Sequence, residues 1–392
     1  MTSAPCPLPP DSLTNSDIAE LTAWRHRLHQ DPELSGEERD TAARVVAMLL
    51  PTAPDRTLTE LGGHGVAAIY EGAEPGPTIL LRCELDALPI HETGTPPYRS
   101  NFPGKGHLCG HDGHMAILAG VARWLSRNRP IRGRAILLFQ PAEETGAGAA
   151  AVIADPRFAE IAPDLSFALH NMPGVPFGAA ALQDGVMNCA SRGMKITLTG
   201  WTAHASLPES GRSPAPALAR LLSDLTALGN ELHQSDPDFA RVTITHARLG
   251  EPAFGVAPGA AELWATLRTQ RDAGMAGLVE KAEAMVQKAA DAHGLEREIT
   301  YHDIFRHCEN APEANAILRA ALKAEGIETT ETDLPMRASE DFGRFADHGP
   351  AAMALLGAGD RPALHNPDYD FPDALIAPGA RVLIQCLRAP LY

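Results

Sequence analysis

Cys109, His111, Asp112 and His114 fall together in the stretch HLCGHDGH at 107–114. Thiolate and imidazole are the ligands that zinc and its late first-row neighbours prefer. Cys109 and His111 stand two apart, close enough to reach one ion or two adjacent ions from a single loop. Alone, the stretch reads equally well as a buried thiol beside capping histidines, because free cysteine is among the most buried residue types. Further groups of the same chemistry follow. FQPAEE (139–144) ends an apolar run in two adjacent carboxylates, Glu143 and Glu144, which point in different directions and can divide metal binding from proton transfer. ALHN carries His170, LHNPDYDF carries His365, and LLRCELDALP carries Glu84 and Asp86. Each has an ordinary reading as a solvated acid or a satisfied core histidine; jointly they place metal-type ligands at the ends of several strand-like runs.

Those runs define what must position the ligands. A helix is expected around Trp24 to His29, then strands at 77–85, 134–140 and 165–171, with helices at 113–128 and 143–155 between them. Alternating strands and helices imply an α/β fold with a mainly parallel sheet covered on both faces, and open sheets of this kind build their sites at the carboxyl ends of the strands. Near residue 183 the pattern changes. A strand at 194–200, a helix at 213–234, strands at 241–250 and 261–269, a helix at 272–293 and a strand at 296–305 give the order β-α-β-β-α-β. That order is ferredoxin-like. We expect a catalytic domain in two parts, 1–183 and 305–392, interrupted by a smaller α+β domain at 184–304.

The 392 residues exceed what one compact core usually holds, which agrees with two domains. With 33 basic and 49 acidic side chains the formal charge is -16, a balance that disfavours nucleic acid and anionic membrane partners. No window approaches 18 uninterrupted apolar residues, and the Pro-rich start lacks a basic, apolar leader, so a cytoplasmic protein is expected. Cys6, Cys83, Cys109, Cys189, Cys308 and Cys386 form no CxxC pair and read as reduced thiols.

In sequence order, WRHRLHQDPELSGEE (24–38), RCELDALPI, HLCGHDGH, FQPAEE, HNMPG, TAHASLP (202–208), SEDF (339–342) and LHNPDYDF span nearly the whole chain. The chain resembles the aminoacylase/carboxypeptidase family of dinuclear metal amidohydrolases, in the branch of hippurate hydrolases and auxin–amino acid conjugate hydrolases. The resemblance implies hydrolysis of an N-acyl amino acid or related amide. It also implies two divalent ions per subunit (Zn, Mn, Co or Ni) held by Cys109, His111, Glu144, His170 and His365. It makes Glu143 the general base and has Asp86 orient a ligand histidine. His204, in the inserted domain, reads by itself as a loop histidine capping the helix after Pro208; the resemblance has it stabilise the oxyanion in the partner subunit's site, so a homodimer or higher homo-oligomer formed through a dimerisation (lid) domain is expected. Arg268, on the strand at 261–269, has the fork geometry to grip a substrate carboxylate and reads equally well as a solvated strand arginine.

The chain departs from the family pattern in places. Glu84 stands for the usual aspartate and Cys83 for a small residue. Gly255-Val256-Ala257-Pro258 lacks the asparagine often found before the Val-x-Pro turn, and Ser213 replaces an acidic residue. The rival chemistries are a dipeptidase or aminopeptidase of the same fold, a cysteine hydrolase with Cys109 as nucleophile, and a metal-binding relative without catalysis.

Overall fold

The computed structural model describes residues 13–392; the Pro-rich start and Cys6 lie outside the described residues. The chain divides into two compact units. One comprises the described residues up to Gly185 with Glu309–Thr332 and Asp341–Tyr392, the other Val186–Cys308 with Asp333–Glu340.

The first unit opens with α1 (Asn15–Gln30), where Thr14 Oγ1 accepts the Asp17 N–H and Asp17 answers the Thr14 N–H in a capping box. Next come α2 (Arg39–Leu49) and the strands β1 (Arg56–Leu61), β2 (Gly65–Glu71) and β3 (Glu74–Glu84). α3 (His111–Arg127), β4 (Arg132–Gln140), α4 (Gly148–Ala154), β5 (Leu165–Pro173) and the short β6 (Ala180–Ala181) complete this stretch. The second unit runs β7 (Ala190–Thr199), α5 (Ala215–Thr226), β8 (Ala240–Leu249), β9 (Ala260–Thr269), α6 (Asp272–Ala292) and β10 (Glu296–Phe305). Back in the first unit, α7 (Pro312–Ala324), β11 (Ala351–Gly359) and α8 (Ile376–Leu391) follow.

The first unit's seven-stranded sheet has the order β1-β2-β4-β3-β5-β11-β6. The central β4, β3, β5 and β11 are mutually parallel, and antiparallel partners close each edge. Their apolar runs are buried throughout, as strands covered on both faces must be. α3 presents Met115, Leu118, Val121 and Leu125 to this core. Residues 373–391 are long and apolar enough to cross a membrane by composition, but α8 packs on α3 and the sheet with Ile376, Val382, Leu383 and Leu387 buried.

In the second unit four antiparallel strands are ordered β8-β9-β7-β10. Ile196 pairs with Leu263 on one side and Ile299 on the other. Ile196 and Leu263 join Leu221, Leu225, Ala282 and Val286 in a core between the sheet and its two helices.

Three expected element boundaries are corrected. The stretch 107–114 is not wholly a loop: Gly110 takes φ +93° and α3 starts at His111, so His111, Asp112 and His114 occupy its first turn. The helix expected at 143–155 starts only at Gly148, because Ala142 and Gly146 adopt positive φ and hold 141–147 in a turn. The helix expected to reach 234 ends at Thr226, where Gly229 and Asn230 turn the chain toward β8 and Asn230 N–H donates to Ala240 O. The antiparallel strands β1 and β2 carry no counterpart in the sequence reading.

Candidate metal centre

Because β3, β4 and β5 run parallel, the segments leaving their carboxyl ends meet at one edge of the sheet. Glu84 pairs in register with Gln140. Asp86 therefore emerges beside the 141–144 turn, with His170 close to the end of β5. The first turn of α3 and the loop before α8 bring the remaining candidates.

Donor atoms of Cys109, His111 and His170 lie within 4.8 Å of one another, as do those of Cys109, Glu144 and His365 and those of His111, Glu143 and Glu144. Cys109 Sγ is 3.6 Å from His170 Nε2. His111 Nε2 is 3.9 Å from both Glu143 Oε2 and Glu144 Oε1, and His365 Nε2 is 3.4 Å from Glu144 Oε2. The structure thus brings together Cys109, His111, Glu143, Glu144, His170 and His365 in the first unit. Asp86 lies directly behind them. His204 and Arg268 belong to the second unit and are described there.

The surrounding backbone fixes which ring nitrogens face this space. His111 Nδ1–H donates to Asp86 O at 2.8 Å and His170 Nδ1–H to Asn171 O at 2.8 Å, so each presents Nε2. Asp86 Oδ2 accepts from Ser35 Oγ at 2.6 Å and from the Glu144 N–H at 2.9 Å. His365 reaches Glu144 from a left-handed backbone, φ +66°. Gly110 allows the Cys109–His111 step: a Cβ there would sit 2.0 Å from Asn171 Oδ1.

The arrangement fits divalent cations. His111 Nε2 and Glu144 Oε1 are buried side-chain atoms without a hydrogen-bond partner among the described residues, and both face the shared space. Burial favours a neutral His111 ring, but hydrogen bonding to Asp86 and the charges of Glu84 and Glu144 overcome it and raise the pKa to about 10. The field that holds this proton would equally retain a metal ion, and the two compete for Nε2. Burial, reinforced by His114 and His111, lowers His170 to about 3, leaving it neutral as a ligand must be. Burial and then Glu144 and Glu143 push the Cys109 thiol well up, so a thiolate there needs a cation beside it.

Not every nearby group is a donor in waiting. His114 Nδ1–H donates to Glu84 Oε2 at 2.6 Å while its Nε2 accepts the Asn171 N–H at 3.1 Å, which occupies both nitrogens. Glu84 is also paired with Arg82, whose guanidinium reaches Asp341 at 2.6 Å and Gln140 at 3.0 Å. These contacts make Glu84 and His114 a support beneath the centre. A second buried network, missed by sequence reasoning, joins α1 to α3. Arg25 Nε donates to Asp112 Oδ2 at 2.7 Å and the guanidinium also meets Asp370 and Asp373, while His29 Nδ1 lies 2.8 Å from Asp112. The motif at 24–38 was the available signal, but not its partners.

In the second unit, His204 is exposed on the two-residue strand Ala203–His204, paired with Val256–Ala257 of the Gly255–Pro258 segment. The Ser206 N–H donates to His204 Nδ1 at 3.2 Å, with Ser206 Oγ 2.7 Å from the same nitrogen. An amide can only donate, so the neutral ring carries its proton on Nε2, which donates to none of the described residues. Arg268 Nη1 donates to Arg337 O at 2.6 Å and to Ser339 Oγ at 2.9 Å. Ser213 Oγ accepts the Ala215 N–H at 3.3 Å, a local contact at the start of α5.

The profile of peptidase family M20/M25/M40 matches residues 80–389. The hippurate hydrolase of Campylobacter jejuni is 31% identical over 363 residues, covering 92% of this chain and 94% of its own. The N-acetyl-L-cysteine deacetylase of Bacillus subtilis is 30% identical over 371 residues, covering 94% and 88%. Among solved structures, a Bacillus subtilis protein described as a dinuclear metal-binding peptidase of the M20 family superposes with a TM-score of 0.79 at 24% identity, covering 96% of this chain and 99% of that one.

Proposed function

This chain belongs to peptidase family M20/M25/M40, and on that premise we propose that it is a metal-dependent amidohydrolase cleaving the amide of an N-acyl amino acid or related linear N-acyl compound. The observation that carries the reading is the convergence of thiol, imidazole and carboxylate donors from four separate segments, with Glu143 among them. Relatives named as hippurate hydrolase and N-acetyl-L-cysteine deacetylase, aligned along almost the full chain, support the substrate class.

Two divalent ions (Zn, Mn, Co or Ni) held by Cys109, His111, Glu144, His170 and His365 would polarise the scissile carbonyl and acidify the attacking water. Glu143 then takes the water's proton on a carboxylate oxygen and returns it to the leaving nitrogen, so the amine departs neutral. Such a positioned acid–base is worth on the order of 10²–10⁴-fold in rate. Asp86 orients His111 through its carbonyl and fixes the backbone of Glu144 through its carboxylate. His204 offers Nε2–H to the oxyanion, and Arg268 Nη2, which donates to none of the described residues, is available for the substrate's carboxylate.

We place His204 in the partner subunit's site within a homodimer formed through the 184–304 lid domain. The exposed Trp201, Leu207, Phe254 and Val256 near His204 in sequence and strand pairing support a covered surface there. The five cysteines among the described residues are buried and free, which suits a cytoplasmic enzyme. Against a cysteine nucleophile stands the Cys109 thiol itself, shifted up by burial where a nucleophile needs a low pKa.

The test is a panel of acetyl-, benzoyl- and longer acyl-amino acids, with dipeptides alongside, run with each metal on wild type and Glu143→Gln. The reading expects acyl-amino acids to be the better substrates and the variant to lose turnover while keeping its metal. Preference for dipeptides, or near-full turnover by the variant, sinks it.

A further inference from the structure

The motif at 24–38 ends in a carboxylate that neither the ligand set nor the acid–base chemistry uses. Glu38 is fully buried. It stands at the N-cap of α2 yet makes no side-chain capping bond to that helix. Instead its Oε1 accepts the Ala142 N–H at 2.8 Å, while Oε2 meets no hydrogen-bond partner among the described residues. Burial raises its pKa, with a smaller push from Asp86, and the backbone N–H groups of Glu38, Gly36 and Ala142 offset this only in part. A buried acid is costly unless its hydrogen bonds are needed.

Ala142 immediately precedes Glu143 and has φ +50°. An L side chain adopts that left-handed conformation only where its surroundings hold it. On the other side of Glu143, the Glu144 N–H donates to Asp86 Oδ2 at 2.9 Å. The turn closes through Gly146 N–H to Glu143 O at 2.7 Å and Gly148 N–H to Ala142 O at 3.0 Å. The residues before and after Glu143 are therefore each pinned at the amide by a buried carboxylate.

We propose that Glu38 is a positioning residue for Glu143: by holding the Ala142 N–H it keeps Ala142 in its left-handed conformation and so aims the Glu143 carboxylate into the donor cluster. The inference rests on Glu143 being the general base. Glu38 does not touch the substrate; it acts through the backbone, and its acceptor matters rather than its charge.

Three substitutions separate this from a role in folding. Glu38→Met removes the acceptor at similar length, Glu38→Gln keeps it, and Ala142→Gly lets the turn take positive φ without help. In metal-loaded protein, Glu38→Met is expected to lower kcat about 10- to 100-fold, the scale of a misplaced catalytic group, with KM and bound metal unchanged. Amide exchange across 141–148 should quicken. Glu38→Gln should stay near wild type, and Ala142→Gly in the Met background should recover much of the loss. Should Glu38→Met not fold, Ala142→Val strains the same turn with Glu38 intact and should lower kcat likewise. An unchanged kcat in the Met or Val variant overturns the proposal. So does a loss that merely follows metal content or folded fraction, or one that glycine does not relieve. Glu143→Gln is the control: if it retains turnover the general-base reading has failed, whereas amide exchange in Glu38→Met still reports whether Glu38 holds the turn.

Discussion

Gly110→Ala perturbs the centre through backbone and packing at once, and its cost can be worked from two terms. The residue lies between Cys109 and His111 at φ +93°, where an L side chain costs roughly 1–2 kcal/mol. Its new Cβ would stand 2.0 Å from Asn171 Oδ1, so the Asn171 side chain must leave. That breaks the Asn171 Nδ2–H bond to Tyr369 OH at 2.8 Å, worth about 1 kcal/mol net. The sum is about 2–3 kcal/mol. Gly174→Ala is the matched control, with φ +85° and nothing within 4 Å of the added carbon, so only the conformational cost of about 1–2 kcal/mol applies. Both variants are measured by urea denaturation of the metal-free protein, then by zinc competition with a chromogenic chelator. Gly110→Ala should lose more stability than Gly174→Ala and should also bind metal more weakly, because Asn171 adjoins His170 and Gly110 adjoins two of the proposed ligands. Equal stability losses, or a Gly110→Ala protein with wild-type metal affinity, would refute the reasoning.

Two more predictions concern the network between α1 and α3. Arg25→Met should cost about 3–5 kcal/mol in denaturant unfolding, because it leaves the fully buried Asp112 without its guanidinium; a loss below that of an exposed pair would contradict it. Burial disfavours charge on His29, yet hydrogen bonds to Asp112 and Glu92 raise its pKa from 6.5 to about 9. A pKa raised in the folded state stabilises fully below the unfolded value and is lost as pH climbs through the folded one. The stability gap between wild type and His29→Gln should therefore narrow by about 3 kcal/mol between pH 6 and pH 10. A constant gap excludes the His29–Asp112 charge pair.

Most of the candidate donors were legible because their types are unusual in combination: a thiol and histidines in one short stretch, and two acids ending an apolar strand. The strands β3, β4 and β5 follow from their apolar runs, and their parallel pairing explains why distant motifs meet. His365 is different. Its residue type made it a candidate, but its place rests on a long loop and a left-handed backbone, and nothing local shows that it reaches Glu144. The helix start at His111 was obscured because glycine signals a turn without saying where the next helix begins. Ser35, Glu38 and Asn171 could not be read at all, since ordinary polar residues gain meaning only from partners far away in sequence. Ala142 is the extreme case, as nothing about an alanine announces a positive φ. The second unit's extra segment at 333–340 depends on pairings such as Met336 N–H to Met187 O, which no local pattern encodes.

The central claim is that Cys109, His111, Glu144, His170 and His365 hold the ions on which amide hydrolysis depends. The most direct measurement is turnover of an N-acyl amino acid against bound metal, titrated from thoroughly chelated protein with zinc, manganese, cobalt or nickel. The account predicts activity lost on chelation and restored as the stoichiometry approaches two ions per chain, with Cys109→Ser requiring more metal for the same recovery. Activity that persists in metal-free protein would contradict it.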